Sequence, residues 1–144
     1  MIGTIPDGER GGSPSVEAAV LTVVIGLLIA LAIAGGRLVS AESAVAHAAR
    51  SAARVASLQR DPASATAEAR RAAELGLSEQ GLHCTQTDVE VNAAGFSAPL
   101  GTPSSAEATV RCSVDWSDLG VPGTGTRTVV SSFSSPIDRW RERS

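Results

Sequence analysis

At 144 residues the chain has room for one small domain and an attached segment. Its net charge of −3 excludes nucleic acid as an expected partner, because duplex binding needs clustered positive charge to displace counterions. The aromatics are Phe96, Trp116, Phe133 and Trp140, with no tyrosine, so any core is built mainly from alanine and valine. Such a core buries little area per residue and leaves a small domain marginal without a staple.

The first element in chain order is an apolar helix. Residues 18–36 run without a charge, and at about 1.5 Å per residue they span close to the ~30 Å hydrocarbon core of a bilayer. Within the run Ala18, Thr22, Gly26, Ala30 and Ala34 recur at every fourth position, a row of small side chains that another helix could approach closely. The orientation signals conflict. Only Arg10 precedes the run, beside Asp7 and Glu9, whereas Arg37, Arg50 and Arg54 follow it, which by the positive-inside rule holds the C-terminal part in the cytoplasm. Long domains translocate largely regardless of charge, and paired cysteines suit an oxidising compartment. The expectation is a single-pass cell-membrane protein with an extracytoplasmic C-terminal domain.

Immediately before the apolar run stands Arg10-Gly11-Gly12-Ser13-Pro14-Ser15-Val16-Glu17. Taken alone, Glu17 is an acid that favours the positive end of a helix dipole. In context the stretch resembles the type IV prepilin signal, a short polar leader ending in glycine ahead of an apolar helix with Glu at the fifth mature position. The likeness extends through Gly36-Arg37 and Ala48-Ala49-Arg50-Ser51-Ala52-Ala53-Arg54, and residues 10–56 are similar throughout to TadE-like proteins. The ending Ser135-Pro136-Ile137-Asp138-Arg139-Trp140-Arg141 resembles the tails of actinobacterial members. Two positions depart from the family habit: Ala18, where Phe is frequent, and Pro14, which the first turn of a helix tolerates.

The resemblance implies cleavage between Gly12 and Ser13 by a prepilin peptidase, and an assembly role for Glu17. It implies as partners the membrane, other pilins or pseudopilins, and a pilus assembly platform. The corresponding division of the chain is a leader at 1–12, a transmembrane helix with its exported continuation at 13–59, and a small α+β domain at 60–144.

Beyond the membrane run, Leu38, Ala41, Val45, Ala48, Ala52 and Val55 keep three–four spacing, while Glu42, Arg50 and Arg54 fall off that stripe. The stripe suits either the protein's own sheet or another subunit. Asp61-Pro62 reads as an N-cap with proline at the first helical position, opening a second helix to about Leu75 that Gly76 or Gly81 stops. Arg70 and Glu74 are expected as a surface pair on it. Cys84 and Cys112 are read as a disulfide, with two buried free thiols as the alternative. A zinc site is not expected of two cysteines beside His83, since zinc wants four ligands or three and a water.

From Cys84 onward the pattern has period two. Residues 87–91 and 108–116 alternate, with Val110, Cys112, Val114 and Trp116 assigned to one inward face. A third strand is expected over 126–133, after the Gly/Pro turn at 120–125, and 94–105 reads as a loop. The fold class is therefore α+β, a long N-terminal helix and a second helix with a three-stranded antiparallel sheet, which is the pilin-like arrangement. His47 and His83 are isolated, no serine sits in a nucleophile elbow, and no glycine-rich phosphate loop follows a strand. The expectation is a non-enzyme without a cofactor, a minor pilin or pseudopilin of a Tad/Flp-type type IV pilus or related secretion system. The alternative is an envelope binding module, membrane-anchored or secreted, that does not polymerise.

Overall fold

A computed structural model describes residues 14–120 and 123–138. The first element, α1, is a single helix over Pro14–Leu58. Alanine is its commonest residue and the best helix former, losing no side-chain freedom in a helix. Glu17 lies in its first turn, beside the positive end of the dipole. The hydroxyls of Thr22 and Ser40 donate back to the carbonyls of Ala18 (2.8 Å) and Gly36 (3.0 Å), so neither interrupts the ladder. The chain divides into two compact units, Met1–Ile33 and Ala34–Ser144, so residues 34–58 of α1 belong with the C-terminal unit.

In the N-terminal unit the described residues are all helix and have no core. Leu21, Leu27 and Leu31 are 55%, 66% and 71% exposed. α1 is the one helix among the described residues that is long and apolar enough to cross a membrane.

The C-terminal unit adds α2 (Pro62–Glu79), β1 (Gln86–Asn92), a 3-10 turn (Ala94–Ser97), β2 (Ser104–Asp115) and β3 (Thr126–Ile137) to the end of α1. Asp61 caps α2 as expected, its carboxylate accepting from the Ser64 N–H at 2.9 Å, with Pro62 opening the helix. The helix passes through Gly76 instead of stopping near Leu75. Gly76 is buried, and a Cβ there would stand 3.6 Å from the Ala48 Cα, an ordinary contact distance, so α1 and α2 pass close to one another at this point. The chain turns at Gly81, whose φ of +66° is one that residues with a side chain rarely adopt. The ion pair on α2 joins Arg71 to Glu68 at 2.8 Å, in place of the expected Arg70–Glu74 pair.

The inward side of α1 is wider than a single stripe. Ala41, Val45, Ala48 and Ala52 are buried as expected, but so are Ala44, Ala49, Ala53 and Ala56, while Leu38 and Val55 are half-buried. A helix packed on two sides has to bury two adjacent rows. On one side lies α2, through Gly76. On the other lies β3, where Arg127 reaches Glu42 (3.9 Å), Arg50 lies over the Phe133 ring (5.7 Å) and the Ser57 and Ser135 hydroxyls meet at 3.1 Å.

The sheet is antiparallel in the order β1-β2-β3, with Val89 opposite Val110 and Cys112 opposite Val129. Ala106, Ala108, Val110, Cys112 and Val114 of β2 face the helices and are buried. The opposite face is polar. Arg111 bridges Glu90 (2.7 Å) and Asp88 (3.1 Å), which raise the pKa of its guanidinium, Glu90 contributing most. Hydroxyl pairs Thr109–Ser132 and Ser113–Thr128 link β2 to β3 beside it. The segment expected as a loop at 94–105 is more ordered than that. Its 3-10 turn buries Phe96, and Ser104 already pairs with Ile137. Trp116 departs from its assigned face, because β2 ends at Asp115 and the indole lies outside the core, 41% exposed.

Candidate membrane and assembly segment

Of the candidate functional residues, Glu17 and the row of small side chains lie on α1, and the two cysteines form the disulfide. Gly12 and Ser13 lie outside the described residues. Glu17 is exposed in the first turn, and among the described residues it makes no ion pair. The next charged residue along the chain is Arg37. A carboxylate in that position is tolerated at a wet helix end. Carried into apolar surroundings it is costly unless a cation meets it.

The row Ala18, Thr22, Gly26 and Ala30 is exposed along the helix, and Gly26 has open space where a side chain would stand. At 3.6 residues per turn each step of four advances about 40°, so the row is an inclined ridge that winds about 120° around the axis. Small residues on such a ridge let a second backbone approach closely. The Thr22 hydroxyl is already committed to the Ala18 carbonyl, so it contributes bulk and shape more than a hydrogen bond to a neighbour. Ala34 belongs to the C-terminal unit and is half-buried there.

Cys84 and Cys112 form the disulfide, with Cα atoms 5.4 Å apart. The bridge ties the segment after α2 to the middle of β2. Beside it the Thr85 N–H and hydroxyl both donate to the Ser113 carbonyl, at 2.8 and 3.0 Å. Cys112 is fully buried, which fits its place on the inward period-two face. His47 and His83 are both exposed and far apart in sequence. Among the described residues no group of three or more His, Cys, Asp or Glu side chains comes together as a metal site would require.

Trp116, read from the sequence as part of the inward face, has a different place in the C-terminal unit. Trp116 donates its backbone N–H to the Gly125 carbonyl at 3.0 Å, closing the β2–β3 connection, and its ring rests on Gly123 and Gly125. A Cβ at Gly125 would stand 3.3 Å from the ring, so the glycine permits the contact. The glycines after Trp116 were legible as a turn; their use as a seat for an exposed indole was not.

The family of TadE-like proteins matches residues 12–54. The match begins at Gly12, takes in Glu17 and the whole apolar run, and ends in the Ala/Arg stretch, close to the limits on which the resemblance rested. Over this stretch, less than a third of the chain, it is similar to TadE-like proteins. The tail that carried the actinobacterial likeness lies outside the match. No curated protein and no solved structure matches the chain.

Proposed function

We propose that this TadE-like chain is a minor pilin or pseudopilin of a Tad/Flp-type type IV pilus, or of a related secretion system, with a structural and non-catalytic role. One observation carries the reading. The family match opens at residue 12, two positions before a helix that has Glu17 in its first turn and aliphatic side chains exposed along residues 16–33.

A prepilin peptidase removes the leader after Gly12 and leaves Ser13 with a free ammonium. The apolar helix stays in the bilayer, where it holds the subunit until assembly. Its aliphatic surface is satisfied by lipid first and by neighbouring helices later, with the Ala18–Thr22–Gly26–Ala30 ridge as the closest approach. Glu17 meets the new ammonium of an adjacent subunit, which offsets the cost of taking the carboxylate into apolar surroundings. The C-terminal unit lies outside the cytoplasm, in a compartment that sustains the Cys84–Cys112 bridge.

The experiment that tests the assembly role compares the wild-type chain with Glu17→Ala and Glu17→Gln. The wild type should co-isolate with sheared filaments or with the assembly platform. Both variants should stay in the membrane fraction, still oxidised at the disulfide. Equal recovery of all three with filaments would contradict the role given to Glu17. Absence of the wild type from filaments and platform alike would favour a permanent anchor that never polymerises.

A further inference from the structure

The hollow beside Trp116 lies entirely within the C-terminal unit. It is lined by Ala34, Gly35 and Leu38 of α1, by Trp116 and Leu119 after β2, and by Arg127 of β3. Ala34 and Gly35 are nearly the last residues of the uncharged run, which ends at Gly36. The indole therefore shares a hollow with the point at which the uncharged run of α1 ends. Around it the charges are mixed. Arg37 donates to the Asp118 carbonyl at 3.2 Å, and Arg127 lies 3.9 Å from Glu42.

Resting on the reading of α1 as a membrane span, we propose that this end of the C-terminal unit lies against the lipid headgroups, with the Trp116 indole in the interfacial layer. Three observations converge on lipid as the occupant. Covalent continuity puts Ala34 and Gly35 at the edge of the hydrocarbon. An indole with an apolar body and one N–H donor is the side chain that favours this layer over either water or the bilayer centre. In a chain with two tryptophans, Trp116 is held on Gly123 and Gly125 with 41% of its surface exposed. The arginines reach headgroup phosphates, and Glu42 and Asp118 match the cationic part of the headgroup. The surface thus suits zwitterionic lipid, and its contact should not need anionic lipid.

The test uses the full chain with Trp140→Phe, so that Trp116 is the only emitter, reconstituted in phosphatidylcholine vesicles and recovered by flotation. Its emission should be blue-shifted and quenched by lipids brominated next to the headgroup. Lipids brominated at the chain ends should quench it less, and aqueous acrylamide should reach it poorly. A control places the emitter on the polar sheet face, Ser134→Trp with both native tryptophans changed to Phe. That site is roughly 27 Å along β3 from Thr126 at ~3.4 Å per residue, and it should be open to acrylamide and untouched by bromolipid. If Trp140→Phe fails to fold, the same signal is read as the difference between the wild type and Trp116→Phe. A chain that floats while Trp116 behaves like the control overturns the headgroup contact and leaves the span intact. An indole shielded from both quenchers overturns it in favour of a protein partner. A chain that does not float overturns the span and the contact together.

Discussion

One helix, α1, is built in two ways. Over residues 16–33 it carries large aliphatics that stay exposed, Leu27 at 66% and Leu31 at 71%. Over residues 41–56 its inward positions are alanines and Val45, all of them 4% exposed or less. Side-chain size follows the neighbour each part is built to meet. Large aliphatics suit a fluid apolar solvent that adapts to any shape. Small side chains suit a fixed protein surface, where close approach between backbones replaces bulk. The two halves of this helix therefore differ in side-chain volume as well as in charge, which is absent from residues 18–36 and present at Glu42, Arg50 and Arg54.

Changes in the disulfide and the packed half should alter the unfolding of the C-terminal unit, whereas changes in the first half should not. The largest effect is expected from the disulfide. Cys84→Ala with Cys112→Ala, or reduction, should cost roughly 3–4 kcal/mol by loop-closure entropy, read as a lower urea midpoint in detergent. An unchanged midpoint would mean that the alanine core suffices. Next, Ala48→Leu overfills the contact with Gly76 and should cost about 1–3 kcal/mol, while Leu27→Ala leaves the midpoint where it was. Similar losses from both would erase the distinction between the two halves.

A smaller effect of opposite sign is expected from Gly76→Ala. The added Cβ meets Ala48 at 3.6 and 3.8 Å, ordinary contact distances, and alanine in a helix is favoured over glycine by about 0.5–1 kcal/mol. The midpoint should therefore rise; a fall would mean that α1 and α2 cannot give even slightly.

The smallest effect is at Asp61. Its pKa lies below the ordinary 3.8, chiefly because the Ser64 N–H bonds the carboxylate. The cap therefore stabilises fully above 3.8, and its contribution is lost as pH falls through the lower folded value. Asp61→Ala should lower the midpoint slightly at neutral pH and remove that part of the acid dependence. Parallel pH curves for the two chains would contradict it.

Much of the fold was legible because its signals are local. Asp61-Pro62 states a helix start in two residues, and alternation around Val110 and Cys112 states a strand with an inward cysteine. What the sequence hid depends on distant partners. Gly76 reads as a helix stop until Ala48 stands beside it. Trp116 continues the alternation in sequence, but the strand ends one residue earlier and the glycines at 123 and 125 take the ring. The second buried row of α1 is alanine, which is as common on exposed helix faces as in cores, so nothing in its spacing announced β3. Arg71 pairs with Glu68 instead of Arg70 with Glu74, a choice between neighbouring rotamers that spacing cannot make. Of the candidate site, the apolar run and the pairing of the two cysteines were readable. The headgroup surface around Trp116 was not, since it is assembled from segments far apart in the chain.

The central claim is that the first half of α1 is a pilin-type membrane helix, released from its leader and kept for assembly. The most direct measurement is an intact mass with N-terminal sequencing of the membrane-extracted protein, with and without an active prepilin peptidase. The account predicts a mature chain beginning at Ser13 only when the peptidase is active. A chain beginning at any other residue, or one uncut in both strains, would contradict it.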